Sequence, residues 1–275
     1  MSPSSNGSEP LSAGTVAGTV AGELAGRAVL VTGGTRGIGR TIAARFAAAG
    51  ARVAVCARNE PSTPDGAVTY LTADVRDPDA ARTAVDTAAS RLGGLDIVVN
   101  NAGGSPAVPA AEASANLVTS VVRLNLLAPF FVAQAANALM QAQDGGGLII
   151  NIGSVSALRP APGTAMYAAA KAGLAALTAA LAVEWAPAVR VNCVTAGMVR
   201  TEENAHHYGD EAALAAVAAT VPLGRMATPD DVADACLLLA SPLAGYVTGA
   251  SLVVDGGGQL PAYAAARRPR AQPHT

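Results

Sequence analysis

Seven short runs of apolar and β-branched residues recur along the chain, and within each run hydrophobic positions are continuous rather than alternating. Continuous runs are typical of strands covered on both faces, as in a parallel sheet. The predicted strands are Ala28–Thr32, Arg52–Ala57, Val68–Thr72, Asp96–Asn100, Leu148–Ile152, Val189–Val194 and Ser251–Asp255. Helical patterns fall between them, at Gly37–Ala49, Pro78–Leu92, Asn116–Gln141, Tyr167–Trp185 and Pro229–Ala240. This alternation predicts an α/β domain with a doubly wound parallel sheet of about seven strands and helices on both faces.

The predicted elements form one domain, residues 26–260, with no internal repeat and no break in composition. Residues 1–25 are rich in Ser, Gly, Thr and Ala and contain no basic residue, which predicts a disordered extension rather than a secretory signal. Residues 261–275 are expected to form a tail. The stretch from Ala196 to Ala227 is the longest departure from the pattern, and such excursions in compact α/β domains are usually lids or binding loops.

Composition narrows the class of function. Charged residues make up 14% of the chain and the net charge is −2, so neither a nucleic-acid surface nor a polybasic membrane contact is expected. Cys56, Cys193 and Cys236 are widely spaced and predict buried thiols in a reducing compartment, without a metal site. The apolar stretch from Ala172 to Ala186 contains Glu184 and predicts a buried helix rather than a membrane span. We therefore expect a cytoplasmic protein.

A glycine-rich turn, Thr32-Gly33-Gly34-Thr35-Arg36-Gly37-Ile38-Gly39, follows the first strand and opens the first helix. Glycines in this position let backbone amides approach a pyrophosphate, which then lies at the positive end of the helix. The spacing is Gly-x-x-x-Gly-x-Gly, and no Gly-Lys-Ser/Thr follows, which argues against a nucleotide triphosphatase. The turn predicts a dinucleotide site with contacts from Gly33, Thr35, Arg36, Gly37, Ile38 and Gly39.

The end of the second strand bears on which dinucleotide is bound. An NAD site usually has Asp or Glu there to accept from the ribose 2′-hydroxyl, whereas this chain has Ala57 followed by Arg58. Arg36 and Arg58 could together pair with a 2′-phosphate, which favours NADP(H) over NAD(H). Plain surface placement of both arginines is the alternative.

Lys171 is the single lysine among 275 residues, and it follows Tyr167 by four positions on a predicted helix, so the two side chains share one face. An ammonium beside a phenol favours the phenolate and brings tyrosine into range for acid–base chemistry near neutral pH. Ser154 follows the Leu148–Ile152 strand, where side chains face the ligand crevice of such sheets, and its hydroxyl could hydrogen-bond a substrate oxygen. Ser156 is an equally placed alternative.

Taken together, these residues resemble the short-chain dehydrogenase/reductase family, which has a Rossmann-type fold, from about Gly26 to Gln259. Besides the loop and Tyr-x-x-x-Lys, the resemblance includes Asp74-Val75, Asn100-Asn101-Ala102-Gly103 and Asn125. It implies that Tyr167 is the general acid/base, that Lys171 lowers its pKa and binds the nicotinamide ribose, and that Ser154 positions the carbonyl or alcohol. It also implies that Asn125 holds a water of the proton relay. The remaining implied cofactor contacts are Asp74, which would meet the adenine, its neighbour Val75, then Asn101, Ala102 and Gly103 along the cofactor, and Val199 and Thr201 near the nicotinamide end.

The resemblance implies reversible hydride transfer between a nicotinamide and a ketone or secondary alcohol, and it is nearest to the 3-oxoacyl-(acyl-carrier-protein) reductase branch. The segments around Asp144–Gly147 and Ala186–Ala188 lack the basic residues that an acidic carrier protein would need, so a small ketone or a coenzyme A ester is expected instead. Arg159 and Arg200 could meet an anionic group or simply lie on the surface. His206, His207 and Tyr208 are expected to be solvated loop residues, with a position beside the substrate as the alternative. An NAD-dependent alcohol dehydrogenase and a non-catalytic dinucleotide sensor remain alternatives. The family also implies a homotetramer.

Overall fold

The computed structural model describes residues 22, 24–59, 66–159, 161–202 and 210–261. Within them, seven strands form one parallel sheet in the order β3-β2-β1-β4-β5-β6-β7. The strands are β1 (Ala28–Thr32), β2 (Arg52–Ala57), β3 (Val68–Thr72), β4 (Ile97–Asn100), β5 (Gly147–Ser154), β6 (Val189–Ala196) and β7 (Ser251–Val254). The chain winds outward from β1 to β3 and then returns to β4 on the other side of β1. The carboxyl ends of β1 and β4 therefore flank the crevice where such sheets bind ligands.

Helices cover both faces of the sheet, as continuous strand hydrophobicity requires. The α-helices are α1 (Gly37–Ala48), α2 (Pro78–Leu92), α3 (Ala115–Val122), α4 (Ala128–Met140), α5 (Ala165–Trp185), α6 (Glu211–Thr220) and α7 (Pro229–Ala240). One face of β1, through Val29 and Val31, packs against α1 and α7 in a single buried cluster. The other face, through Ala28 and Leu30, packs in a second cluster with α2, α4 and α5.

The predicted architecture is confirmed, and strand bounds differ by at most two residues at either end. Two differences concern helices. The predicted Asn116–Gln141 helix is interrupted by a π-helical segment, Arg123–Leu127, between α3 and α4. The Ala196–Ala227 excursion contains α6, which the hydrophobic pattern did not indicate because eight of its ten residues are apolar.

Apolar composition alone marks two helical stretches, Ala115–Met140 and Ala165–Trp185, as long enough to cross a membrane. Core helices of globular proteins pass the same test, and here both stretches pack on the sheet through residues such as Val132 and Leu181. The three cysteines are buried and free, as the sequence predicts. Burial raises the pKa of the Cys56 thiol to about 11, which keeps it protonated and unreactive.

Candidate active site

The glycine-rich turn after β1 is held by the segment that follows β4, the strand that pairs with β1 on the side away from β2. The Asn101 side chain donates to the Thr32 carbonyl at 2.9 Å and to the Gly33 carbonyl at 3.1 Å. In return, the Thr32 hydroxyl accepts from the backbone N–H groups of Asn101 and Ala102 at 3.1 and 3.0 Å. Asn101 therefore supports the loop with the amide nitrogen of its side chain.

A bulkier residue would not fit at two glycines of this turn. Gly33 has φ +66°, and a Cβ there would lie 3.0 Å from the Ala102 Cα. A Cβ on Gly39 would collide with the Gly33 carbonyl and the Asn101 amide. The turn thus brings backbone directly against the start of α1, in the close packing that a dinucleotide loop requires.

The N-terminus of α1 is suited to an anion. The helix begins at Gly37, after Arg36 in an extended conformation, and the Arg36 side chain makes no capping hydrogen bond. Its first turn, Gly37–Arg40, carries no acidic residue. Free N–H groups and the positive end of the helix dipole bind phosphate. The residues present fit a dinucleotide pyrophosphate, with Thr35 in the turn and Ile38 in the first turn of the helix.

Charged residues gather where the adenine end of a dinucleotide would lie, at the ends of β2 and β3. Arg58 is exposed directly after β2. Asp74, after β3, accepts from the Arg76 guanidinium at 2.9 Å (Nε) and 2.5 Å (Nη2). The hydrogen bonds of Arg76 hold the pKa of Asp74 below its usual value, and the charge of Arg58 lowers it further. Val75 has its side chain in the core, so only its backbone could meet the adenine.

The segment after β4 comes close to Asn125 and Lys171 at Gly103. A Cβ on Gly103 would lie 2.9 Å from Asn125 Oδ1 and 3.3 Å from Lys171 Nζ. Asn125 lies in the π-helical segment and is completely buried. Its amide nitrogen donates to the Gly104 and Val121 carbonyls, both at 2.9 Å, and its Oδ1 accepts from the Gly104 N–H at 2.9 Å.

These bonds engage both amide hydrogens of Asn125. The resemblance implies that Asn125 holds a water. Because its amide nitrogen is already engaged, its main chain is the group better placed to bind that water. π-Helical turns are frequent at functional sites because they alter the backbone hydrogen-bond ladder.

Tyr167 and Lys171 lie on the same face of α5, and the Lys171 ammonium is 5.8 Å from the centre of the Tyr167 ring. Lys171 is buried, and its Nζ donates to the Ile152 carbonyl at 2.7 Å. Burial lowers the pKa of Lys171 from 10.5 to about 8. Among the described residues, no carboxylate pairs with this ammonium, so its charge acts on the neighbouring phenol without being neutralised.

Ser154 and Ser156, which the sequence left as alternatives, have different positions. Ser154 is the last residue of β5, two positions beyond the carbonyl that binds Lys171. Ser156 lies in the following 3₁₀ turn, and its backbone N–H donates to the Ser154 hydroxyl oxygen at 3.2 Å. Ser154 is therefore the serine that the sheet places at the crevice with an oriented hydroxyl.

A shallow apolar depression adjoins Tyr167. The residues that line it come from the β4–α3 connection, from α3 and from the start of α5, and they include Val108, Leu117, Val121 and Met166. Ser105 and Tyr167 contribute its polar side chains.

The two arginines for which the sequence left an anion contact open both have carboxylate partners. Arg159 pairs with the mostly buried Asp255 at 2.5 Å, and Arg200 pairs with Glu211 at 2.7 Å. Asp255 compensates the charge of Arg159. The Arg200–Glu211 pair is exposed to solvent, where such pairs are weak, so an anion contact at Arg200 stays a prediction. Of the remaining predicted contacts, Val199 is buried and forms an isolated β-bridge with Ala227. Thr201 lies two residues after Val199. His206, His207 and Tyr208 lie outside the described residues.

Sequence reasoning did not single out Arg76. The sequence did contain one indication of its role: Arg76 lies two residues after Asp74, where an arginine side chain can fold back on the carboxylate. Among the described residues, no group of three His, Cys, Asp or Glu side chains could hold a metal ion.

Known proteins are similar to this chain over most of its length. Residues 33–259 match the family model described as enoyl-(acyl carrier protein) reductase. L-rhamnose 1-dehydrogenase (NAD(P)(+)) of Azotobacter vinelandii is 36% identical over 84% of this chain and 96% of its own length. 3beta-hydroxysteroid dehydrogenase 1 of Eggerthella lenta is 37% identical over 84% of this chain and 93% of its own.

Solved structures agree as well. A mutant short-chain dehydrogenase/reductase of Serratia marcescens superposes with a TM-score of 0.77 at 36% identity, over 85% of this chain and 98% of that one. The ligand-free aldohexose dehydrogenase of Thermoplasma acidophilum gives a TM-score of 0.80 at 27% identity, over 92% and 99% of the two chains.

Proposed function

Because the chain belongs to the short-chain dehydrogenase/reductase family and is an oxidoreductase of alcohols or ketones, we propose that it is an NADP(H)-dependent reductase of small ketones. The observation that carries the proposal is the buried Lys171 ammonium 5.8 Å from the Tyr167 ring, on the helix that follows Ser154. A lysine is costly to bury without a carboxylate, and such groups cluster at functional sites.

The residues divide the reaction between them. A nicotinamide cofactor, when bound, would supply a hydride for the carbonyl carbon. Tyr167 donates the proton that the carbonyl oxygen takes up, so that one hydride and one proton give the secondary alcohol. Lys171 stabilises the phenolate left behind, and Ser154 donates a hydrogen bond to the same oxygen.

The preference for NADP(H) is supported by the charges at the adenine end. The residue that ends β2 is Ala57 and the next is Arg58, where an NAD site would place a carboxylate. Arg36 lies immediately before α1 and is exposed, like Arg58. Two guanidiniums would attract a 2′-phosphate.

The apolar depression beside Tyr167 supports a ketone with a small apolar arm. A polyol would leave hydroxyl groups unpaired against Val108, Leu117 and Val121, at a cost for each. The pairing of Arg159 with Asp255 also argues against a strongly anionic substrate, because that guanidinium is already compensated. A coenzyme A ester whose acyl end enters the depression is the second substrate class that we retain.

The proposal extends to the setting of the enzyme. The outer surface of α5 exposes Val183, and Leu127 is partly exposed between α3 and α4. Apolar residues on long helices favour contacts between copies, and a homotetramer with two-fold interfaces is our proposal. Three free thiols suit the cytoplasm. We propose that its binding partner is a small-molecule substrate and that it binds neither nucleic acid nor a membrane.

Replacing Tyr167 by phenylalanine tests the reaction. Loss of the proton donor should lower NADPH-dependent turnover of ketones by about 10²–10⁴-fold while NADPH affinity, measured by fluorescence titration, stays within about twofold. Tyr246, which is fully exposed, provides the matched control as Tyr246→Phe.

Two outcomes would contradict the proposal. Tight cofactor binding by the parent with no turnover of any ketone or alcohol would favour a dinucleotide sensor. Equal or better use of NADH would favour an NAD-dependent alcohol dehydrogenase, and Arg58→Asp would then change little.

A further inference from the structure

Three charged side chains form a cluster at the adenine end of the crevice, namely Arg58, Asp74 and Arg76. Asp74 is the one acidic member, and by the resemblance it meets the adenine. A bare carboxylate at this place would repel the 2′-phosphate that distinguishes NADP(H) from NAD(H). The structure shows what compensates it.

Arg76 covers the Asp74 carboxylate with a set of short hydrogen bonds. Its Nε lies 2.9 and 3.0 Å from the two carboxylate oxygens, and its Nη2 lies 2.5 Å from Oδ2. The backbone N–H of Arg76 adds a fourth bond to Oδ1 at 3.1 Å. Both oxygens are engaged, in the fork geometry that favours arginine over lysine.

The backbone around the pair is fixed independently of it. The Asp77 N–H donates to the Asp74 carbonyl at 3.0 Å, which closes the turn, and Asp77 caps α2 through the N–H groups of Asp79 and Ala80. The Arg123 Nε donates to the Arg76 carbonyl at 3.2 Å and so joins this turn to the π-helical segment. The pair is thus held at the end of β3 beside Arg58, rather than lying on a mobile loop.

We propose that Arg76 is a specificity-determining residue that neutralises Asp74, so that Arg36 and Arg58 act on a 2′-phosphate without an opposing charge. The inference rests on the proposed NADP(H) preference and deepens it. With Arg76 in place, the cluster of Arg58, Asp74 and Arg76 carries a net charge of about +1, and without it the net charge falls to about zero.

The test uses binding of fragments, which needs no turnover. 2′,5′-ADP and AMP differ in the 2′-phosphate, so the ratio of their dissociation constants by calorimetry isolates its contribution. Arg76→Met should weaken 2′,5′-ADP by about tenfold and AMP by less than twofold, the size expected of one unit charge acting across several ångströms near a surface. The effect should shrink as salt is raised.

Two further variants make the test specific. Arg82→Met removes an arginine from α2, the helix that follows the turn of Arg76, and leaves Asp79 unpaired, so it matches the change in net charge outside the cluster. It should leave the ratio unchanged. In Asp74→Asn/Arg76→Met, both charges are gone, and the 2′,5′-ADP to AMP ratio should return to within about twofold of the parent. The ratio also removes any loss of adenine binding shared by both ligands.

The outcomes separate this inference from the proposed function. If the parent binds 2′,5′-ADP no better than AMP, the NADP(H) preference itself is wrong. If the parent prefers 2′,5′-ADP but Arg76→Met behaves like Arg82→Met, only the role of Arg76 is wrong. A double variant as weak as Arg76→Met would also overturn neutralisation, since the loss could not then come from the exposed carboxylate.

Discussion

Replacing Lys171 by methionine should make the cofactor-free protein more stable while removing its activity. Methionine has nearly the length of lysine and no charge, so it can fill the same buried space on α5. What it removes is an ammonium that burial disfavours and that no described carboxylate compensates. When a functional group lowers the stability of the folded state in this way, the protein trades stability for activity.

The magnitude follows from the pKa of Lys171, which burial lowers from 10.5 to about 8. At pH 7, below both values, the folded protein carries the full cost of the buried charge, ~3 kcal/mol. Methionine relieves this cost but leaves the Ile152 carbonyl without its 2.7 Å donor, a loss of about 1–2 kcal/mol. The expected net gain is therefore about 1–2 kcal/mol at pH 7.

The sign of the pH dependence is a second signature. A depressed lysine pKa means that the unfolded chain binds more protons between pH 8 and 10.5, so the stability of the parent rises over that range. At about pH 9.5 the cost in the parent falls to ~1.4 kcal/mol, and the advantage of the methionine variant should vanish. Unfolding in urea, at one protein concentration, can be followed through Trp185, which is the single tryptophan of the chain and is buried.

Lys171→Arg is the matched control because it retains the charge. It should gain no stability, and it should also fail to turn over ketone because a planar guanidinium cannot replace a compact ammonium beside Tyr167. Our reasoning would be refuted by a methionine variant that is less stable than the parent by the same amount at pH 7 and pH 9.5. Such a result would mean that the ammonium stabilises the fold and that its burial has no cost.

Two further predictions concern the cofactor loop and acid stability. Gly39→Ala should weaken NADPH binding by at least about tenfold in a fluorescence titration, because its methyl group collides with the Gly33 carbonyl. Gly66→Ala is the control, since a Cβ there meets nothing within 4 Å, and this variant should bind NADPH normally. Unchanged NADPH binding by Gly39→Ala would contradict the close packing of the turn. Asp231→Asn should cost about 1–2 kcal/mol at pH 6 in urea unfolding, after allowance for screening, because Arg225 and the Thr228 cap lower the pKa of Asp231 from 3.8 to about 2. The advantage of the parent is present above pH 3.8 and is lost as the pH falls towards 2, so a difference that persists at pH 2 would argue against this cause.

The strands of the sheet could be predicted because the apolar pattern of each one lies within a few consecutive residues. Runs such as Ala28–Thr32 and Arg52–Ala57 are buried on both faces, and burial on both faces leaves a continuous apolar string in the sequence. The positions of Tyr167 and Lys171 were predictable for a similar reason, since helical spacing alone puts them on one face.

The π-helical segment shows where local reasoning stops. Its residues are compatible with an ordinary helix, and the bonds of Asn125 to Gly104 span 21 positions. One local signal was available, because Pro129 lacks the N–H that would continue the ladder from Asn125. The partners Arg159 and Asp255 are 96 positions apart, and no spacing rule relates them.

The α6 helix was missed for another reason. Its alanine-rich sequence has almost no polar face, so it offered no periodicity to recognise. Asp210, which caps the helix by accepting from the Ala213 N–H at 2.9 Å, and Glu211 in the first turn were the available indications of a helix start.

The support of the glycine-rich turn by Asn101 has a consequence for dissecting the protein. The donor that fixes Thr32 and Gly33 comes from 69 and 68 positions downstream, beyond the whole first strand–helix–strand unit. A fragment that stops after α2 would keep the whole glycine-rich turn, together with Arg58 and Asp74, but would lose the Asn101 side chain that holds the turn. Nucleotide recognition in this chain is therefore a property of the assembled sheet, and it cannot be excised or grafted as a short module.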